Sequence, residues 1–286
     1  MGLTLESFDT RYLDGMTGLY NRAAAGNAHI VPLTPELFVE LVCRKSYFDP
    51  ATLLAAVDGG QVVGWVHWTV TGPTEHWYNR SRRYARISMV MVEPGRLDAG
   101  VLLVEKATAA LRGQGHDRLL GMHCDGGYPF YRGLFDGGEP MAPVEFIASH
   151  MALGYHGYKV EGESVFKVAR MSRRPAVVEA KIAMEYRDVP LAELPGQSEL
   201  GNESWAGFEP RVIRAFAEGQ DVGAIGYVMQ PQLAARLGHP AANIFMLGVT
   251  PTFQRKGIAA ALVSRMLIAS WERGAREASV GSDIYN

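Results

Sequence analysis

"VTPTFQRKGIAAALVSRM", residues 249–266, joins the end of an apolar run to a segment with helical periodicity. Ile244 to Val249 is continuously apolar, which predicts a strand buried on both faces. Beyond the loop, Ala259, Leu262, Val263, Met266, Leu267 and Ser270 recur at helical spacing. Lys256, Ser264, Glu272 and Arg273 fall largely elsewhere, so a helix packed on a core is predicted, ended by Gly274. A strand, a short loop and a helix start together form an anion site. The first N–H groups of a helix have no internal partner, and the helix dipole adds partial positive charge there. Gly257 lets the backbone approach a ligand closely, and Ala259 keeps the next position small. Arg255 and Lys256 add positive charge at the rim. The loop suits a pyrophosphate. It is neither the dinucleotide pattern G-x-G-x-x-G nor a P-loop, since no Gly-Lys-Ser/Thr occurs.

The same stretch occurs twice. "ISMVMVEPGRLDAGV" from Ile87 aligns without a gap on "IFMLGVTPTFQRKGI" from Ile244, an offset of 157 positions. Val92 then falls on Val249, Pro94 on Pro251, Gly100 on Gly257 and Val101 on Ile258. Upstream, "VVGWV" at Val62 resembles "AIGYV" at Ala224, an offset of 162. The chain is therefore read as two related halves. "ARMSRRPAVVEA", residues 169–180, reads as the linker, so domains are expected over 1–171 and 172–286. Each half opens with a strand, "LTLESF" or "AKIAMEY". A helical region comes second, "PELFVELVCRK" or "PRVIRAFAEG". Then comes a hairpin such as "LLAAVDGGQVVGWVHWTV", where β-branched and aromatic residues favour strands. The apolar strand, the loop and the long helix come next, and "REASVGS" forms a further strand. The fold class is α/β. Each domain is expected to hold a mixed, mainly antiparallel sheet flanked by helices.

The first copy departs from the anion-site pattern. Leu97 stands for Gln254 and Leu102 for Ala259, and Glu93 and Asp98 add negative charge. A leucine would occupy space that a pyrophosphate needs. The first half is therefore expected to have lost the site.

Val249, Pro251 and then Gln254-x-x-Gly257-x-Ala259 resemble the acetyl-CoA-binding segment of the GNAT N-acyltransferases. The resemblance implies a tandem GNAT protein with one degenerate half. It implies acetyl-CoA as co-substrate, with Leu247, Gly248 and Val249 facing the pantetheine through backbone groups. Gln254, Arg255, Lys256, Gly257, Ile258, Ala259 and Ala260 would cradle the pyrophosphate. Asn286 matches an asparagine often found at the end of the family's fifth strand. In this chemistry an amine attacks the thioester directly, the carbonyl is polarised by a backbone N–H, and a carboxylate or water chain takes the proton. Asp283 and Glu203 are the candidate catalytic groups, with Glu209 behind them. Asn243 lies where many members place a catalytic Glu, so no base is expected on that strand. The family often uses a tyrosine on the next helix to protonate the thiolate. The sequence ends at "SDIYN", so the second domain is expected to be incomplete at its C-terminus.

Bulk properties fit this reading. The chain has 286 residues and a net charge of −2, so no global field favours nucleic acid or an anionic membrane. Two cysteines, Cys43 and Cys124, make no disulfide framework and no zinc quartet, and a reducing cytoplasm is expected. No metal site is expected at "HCD" (residues 123–125), and "RSRRYAR" (80–86) reads as a solvated loop. The expected acceptor is a small-molecule amine. The alternative is a non-catalytic acyl-CoA-binding or interaction module.

Overall fold

The structure, a computed structural model, describes residues 2–70, 85–122, 130–135, 142–160, 163–197 and 199–283. The chain divides into two compact units, residues 1–134 with 139–161, and 135–138 with 162–286. The division at Glu161/Gly162 precedes the expected boundary at 171/172.

In the first unit, β1 (Thr4–Ser7), α1 (Leu13–Ala23) and α2 (Pro35–Phe38) lead into the hairpin β2 (Leu53–Asp58) and β3 (Gln61–Val70). The chain continues through β4 (Ala85–Val92), α3 (Leu97–Gly113), β5 (Leu119–Gly121) and α4 (Ile147–Tyr155). The sheet order is β1-β2-β3-β4-β5, antiparallel except for the parallel β4–β5 pair. Every residue of β4 is buried, as its mostly apolar sequence predicts, with Ser88 buried among them. Arg86 belongs to this strand and is itself buried, which corrects the reading of that position as a solvated loop; residues 80–84 lie outside the described residues. Trp65 and Trp68 join the core, and Trp65 Nε1 donates to the Met16 carbonyl at 3.1 Å.

The second unit contains β6 (Ser164–Arg170), β7 (Glu185–Pro190), α5 (Glu199–Glu203), β8 (Pro210–Ala217) and β9 (Gln220–Gln230). It continues through α6 (Ala234–Leu237), β10 (Ala241–Val249), α7 (Ile258–Glu272) and β11 (Glu277–Asp283). The sheet order is β6-β11-β10-β9-β8-β7. Within this sheet only β10–β11 is parallel. β6 pairs antiparallel with β11 over its whole length, from Ser164↔Asp283 to Arg170↔Glu277. Residues 164–170, inside the expected first domain of 1–171, therefore close the second sheet. On the opposite side, Ile258, Leu262 and Met266 of α7 pack on Ile213, Ile225, Tyr227, Ala242 and Ile244. Each fully buried side chain of this size contributes about 1.5–3 kcal/mol.

Three expectations change. "PRVIRAFAEG" is the strand β8, not a helix. It runs into β9 through Glu218 and Gly219, both at positive φ (51° and 78°), a two-residue turn that directs a hairpin. Its counterpart between β2 and β3 is Gly59–Gly60, at 58° and 85°. The opening strand of the second half begins at Glu185, not Ala180, because the preceding residues lie along α7. The upstream repeat offset is 159, not 162: Gly64 pairs with Val92 as Gly223 pairs with Val249. A Cβ on either glycine would press on an equivalent carbonyl, Met91 O at 3.1 Å or Gly248 O at 2.8 Å.

Candidate functional site

Strands β10 and β11 share a register only from Ala241↔Glu277 to Ile244↔Val280. Beyond that point β11 continues along β6, while β10 continues along β9 alone. A bulge at Phe245 marks the parting, since the β9–β10 register shifts between Ile244 and Met246. A bulge bends its strand and re-aims the residues after it. Just before the parting, Asn243 is buried and its Nδ2 donates to Ser279 Oγ at 2.9 Å. The side of β10 that faces β11 is thereby opened from Phe245 to Val249. Leu247 is 46% exposed and Gly248 is exposed, while Met246 and Val249 are half-buried. The expected two-sided burial of this apolar run fails at its C-terminal half.

The loop comes directly after. Thr250 N donates to Val222 O at 2.9 Å, and Pro251–Phe253 make one 3₁₀ turn. Gln254 is extended, and its Nε2 reaches back to Val249 O at 3.1 Å. Arg255 has φ 61° and Gly257 has φ 81°. Left-handed residues at this spacing turn successive N–H groups toward one side, the geometry of an anion-binding concavity. Gly257 is the N-cap of α7, so the dipole of a 15-residue helix adds to it. The amides of Ile258 to Ala260, in the first turn of α7, have no partner within the helix. Arg255 is exposed, and Lys256 Nζ lies 4.5 Å from the Phe253 ring centroid. Ile258 is buried, while Ala259 and Ala260 are exposed on the helix start. Ala259 thus does not belong to the packed face predicted for it.

The first copy keeps the frame and loses the loop. Glu93 N donates to Val63 O at 2.9 Å, matching Thr250 and Val222, and Ser88 is bulged where Phe245 is. The two copies then diverge at Leu97 and Gln254. Leu97 to Gly100 are already helical, and the amides of Ala99 and Gly100 bond to Arg96 O at 3.0 and 3.2 Å. Asp98 sits in that first turn, held below the usual carboxylate range chiefly by the hydrogen bond from Arg96. An internal carboxylate thus occupies the positive end of α3. Gly100 serves packing: a Cβ there would meet Val92 Cγ2 at 2.8 Å and Ala152 Cβ at 2.9 Å. The strand equivalent to the open part of β10 is Met89–Val92, and it is buried.

The catalytic candidates divide. Glu203 ends α5, half-buried, and Glu209 is exposed. Asp283 ends β11 opposite Ser164. Asn286 and residues 123–129 lie outside the described residues. His239 bonds the Pro240 carbonyl through Nδ1 at 3.1 Å. Sequence reasoning missed Trp205 and Phe245, whose rings lie 4.8 Å apart on the side of the sheet away from α7. The glycine that admits Phe245 was its available signal: a Cβ on Gly226 would meet that ring at 2.5 Å.

Residues 182–285 match the Acetyltransferase (GNAT) family. Similar solved structures include a GCN5-related glucosamine N-acetyltransferase region of a fungal multi-domain GH3 β-N-acetylglucosaminidase. It is 16% identical with a TM-score of 0.64, over 98% of this chain and 35% of that one. A tandem GNAT protein from the clavulanic acid biosynthesis pathway is 14% identical with a TM-score of 0.58, over 99% and 91%. A GCN5-related N-acetyltransferase from Sphaerobacter thermophilus is 14% identical with a TM-score of 0.57, over 98% and 86%. The chain therefore spans about a third of the fungal protein and most of the other two. No curated protein matches the sequence. Residues 182–285 form a GNAT-family domain, and the whole chain has a tandem GNAT fold. Acyl transfer is the chemistry of that family. Among the described residues no helix is long and apolar enough to cross a membrane.

Proposed function

We propose that this protein is an N-acetyltransferase that moves the acetyl group of acetyl-CoA to the amine of a small molecule, and that only its second unit binds the co-substrate. One contrast carries the reading. The second copy opens its strand and unwinds its loop at the helix start, and the first copy buries the one and coils the other. Leu247, Gly248 and Val249 would offer backbone groups to the pantetheine. Residues Gln254 to Ala260 would bind the pyrophosphate, Arg255 and Lys256 would add charge, and Asn286 would lie near the same ligand.

The amine nitrogen attacks the thioester carbonyl carbon. A C–N bond forms, the C–S bond breaks, and the sulfur leaves as a thiolate that takes up a proton. The proton lost by the amine passes to a carboxylate, for which Asp283 and Glu203 are the candidates, or to water. A main-chain N–H on the open side of β10 would stabilise the oxyanion. A cytoplasmic setting suits the free thiol of Cys43.

Calorimetry with acetyl-CoA, followed by a thiol-release assay over a panel of amines, tests the proposal. Binding with release on a small amine supports it. Binding without release on any amine leaves a non-catalytic acyl-CoA-binding module. No binding removes both.

A further inference from the structure

The segment before the matched domain lies along α7 from end to end. Arg174 pairs with Glu272 at 2.7 Å near the C-terminus of the helix. At mid-helix, Val178 N donates to Ser264 Oγ at 3.0 Å, and Glu179 pairs with Arg265 at 2.9 Å. At the N-terminal end, Lys181 N donates to Lys256 O at 2.8 Å. Ala180 Cα and Lys181 N stand 3.7 and 3.8 Å from the position a Cβ on Gly257 would take. The lengths agree. Seven extended residues reach about 24 Å, and the 15 residues of α7 rise about 22 Å. This contact explains why Ser264, expected on the solvent side, is buried.

We infer that residues 174–181 are a positioning strap for the anion-binding loop. This rests on reading residues 247–260 as the acyl-CoA cradle. The left-handed backbone at Arg255 is disfavoured for a residue with a Cβ and persists only where its surroundings determine it. Two bonds do so from either side: Gln254 Nε2 to Val249 O before Arg255, and Lys181 N to Lys256 O after it. The strap bonds the one carbonyl between the two left-handed residues, and leaves the amides that would meet phosphate outside its own bonding. The family match begins at residue 182, so the strap lies outside the matched residues. Holding the loop in its binding shape before the ligand arrives removes part of the ordering cost of binding.

The test uses the full chain with Ser264→Ala, which removes the mid-helix anchor and favours the helix itself. Lys181→Pro removes the terminal donor, and Ser264→Thr keeps the hydroxyl. Amide hydrogen exchange of residues 255–260 without ligand should speed up about tenfold in the first two variants, as expected for one lost hydrogen bond, and stay near wild type in the third. Coenzyme A should bind about tenfold more weakly to the first two, while pantetheine, which lacks the phosphates, should bind them as it binds wild type. Wild-type exchange rates in both Ser264→Ala and Lys181→Pro overturn the strap. So does an equal weakening of coenzyme A and pantetheine. Failure of wild type to bind coenzyme A defeats the cradle instead, and the exchange rates still judge the strap. If Lys181→Pro does not fold, the Ser264→Ala and Ser264→Thr pair decides.

Discussion

Asn243 Nδ2 donates to Ser279 Oγ at 2.9 Å across the last but one shared register pair of β10 and β11. Both residues are buried, and one step later at Ile244↔Val280 the pairing ends. The bond clamps the root of the opening on which the proposed site depends. Asn243→Ala should destabilise the second unit by about 1–3 kcal/mol, the range for stranding a buried polar partner. A double-mutant cycle with Ser279→Ala, measured by urea unfolding, should return a coupling of roughly 0.5–3 kcal/mol. Additive losses would show that the pair does not act as a clamp.

Ala259 is exposed at the start of α7, so Ala259→Leu has no core to disturb. Leucine is close to alanine in helix propensity, and stability should shift by less than about 0.5 kcal/mol. Coenzyme A affinity should nevertheless fall more than about tenfold, because the side chain would fill the space over the proposed cradle. The reciprocal change, Leu102→Ala in the first unit, should create no second site. The amides of Ala99 and Gly100 remain bonded to Arg96 O, and removing a side chain does not free them. Calorimetric stoichiometry checks both expectations.

The features the sequence disclosed were mostly local. Gly257 before an apolar helical stripe announced a loop at a helix start where the backbone can be approached closely, because such a loop is decided within a few residues. The 157-position repeat announced two related halves, each with its own sheet. The features it hid were long-range. Nothing in "SVFKVAR" says which sheet will accept it, since an exposed strand of alternating composition pairs with whichever edge is presented. Ser264 looked solvent-facing because helical periodicity counts one partner, and α7 has two: the sheet and the strap. β8 looked helical because Val212, Ile213 and Phe216 stand at helical spacing, while the face it buries, Ile213, Ala215 and Ala217, is mostly alanine; the turn at Glu218–Gly219 decided for the strand.

His67 gives the first unit an acid limit. It is fully buried, its Nδ1 shares a 2.9 Å hydrogen bond with the Tyr131 hydroxyl, and Phe130 packs edge-on at 4.5 Å. Burial, aided by the charge of Arg86, lowers its pKa to about 3. The unfolded chain binds a proton near pH 6.5 and the folded chain does not. Stability is therefore fully present above about 6.5 and is lost as pH falls toward 3. Over that window wild type should lose up to about 1.4 kcal/mol per pH unit more than His67→Gln, whose side chain does not titrate there. Urea unfolding monitored by tryptophan fluorescence, with Trp65 and Trp68 in this core, measures it. Parallel pH profiles would mean that His67 is protonated in the folded unit.

A carboxylate that accepts the acceptor's proton has a signature different from one that binds co-substrate. An alkylammonium titrates near pH 10.4, so at pH 7 only about one molecule in a few thousand is the nucleophilic amine. If Asp283 draws off that proton, Asp283→Asn should lower turnover by about 10²–10⁴-fold near neutrality and leave coenzyme A affinity unchanged. The deficit should narrow as pH approaches the amine's own pKa, where solvent supplies the neutral form. Glu203→Gln should behave in the same way if Glu203 is the acceptor's base. Asp283 lies where β11 ends against Ser164, and Glu203 ends α5, so single variants separate the two. Thiol release between pH 6 and 10 on each variant decides the assignment. A rate ratio that stays flat across that range removes the residue from proton transfer, and a loss confined to coenzyme A affinity returns it to the binding site.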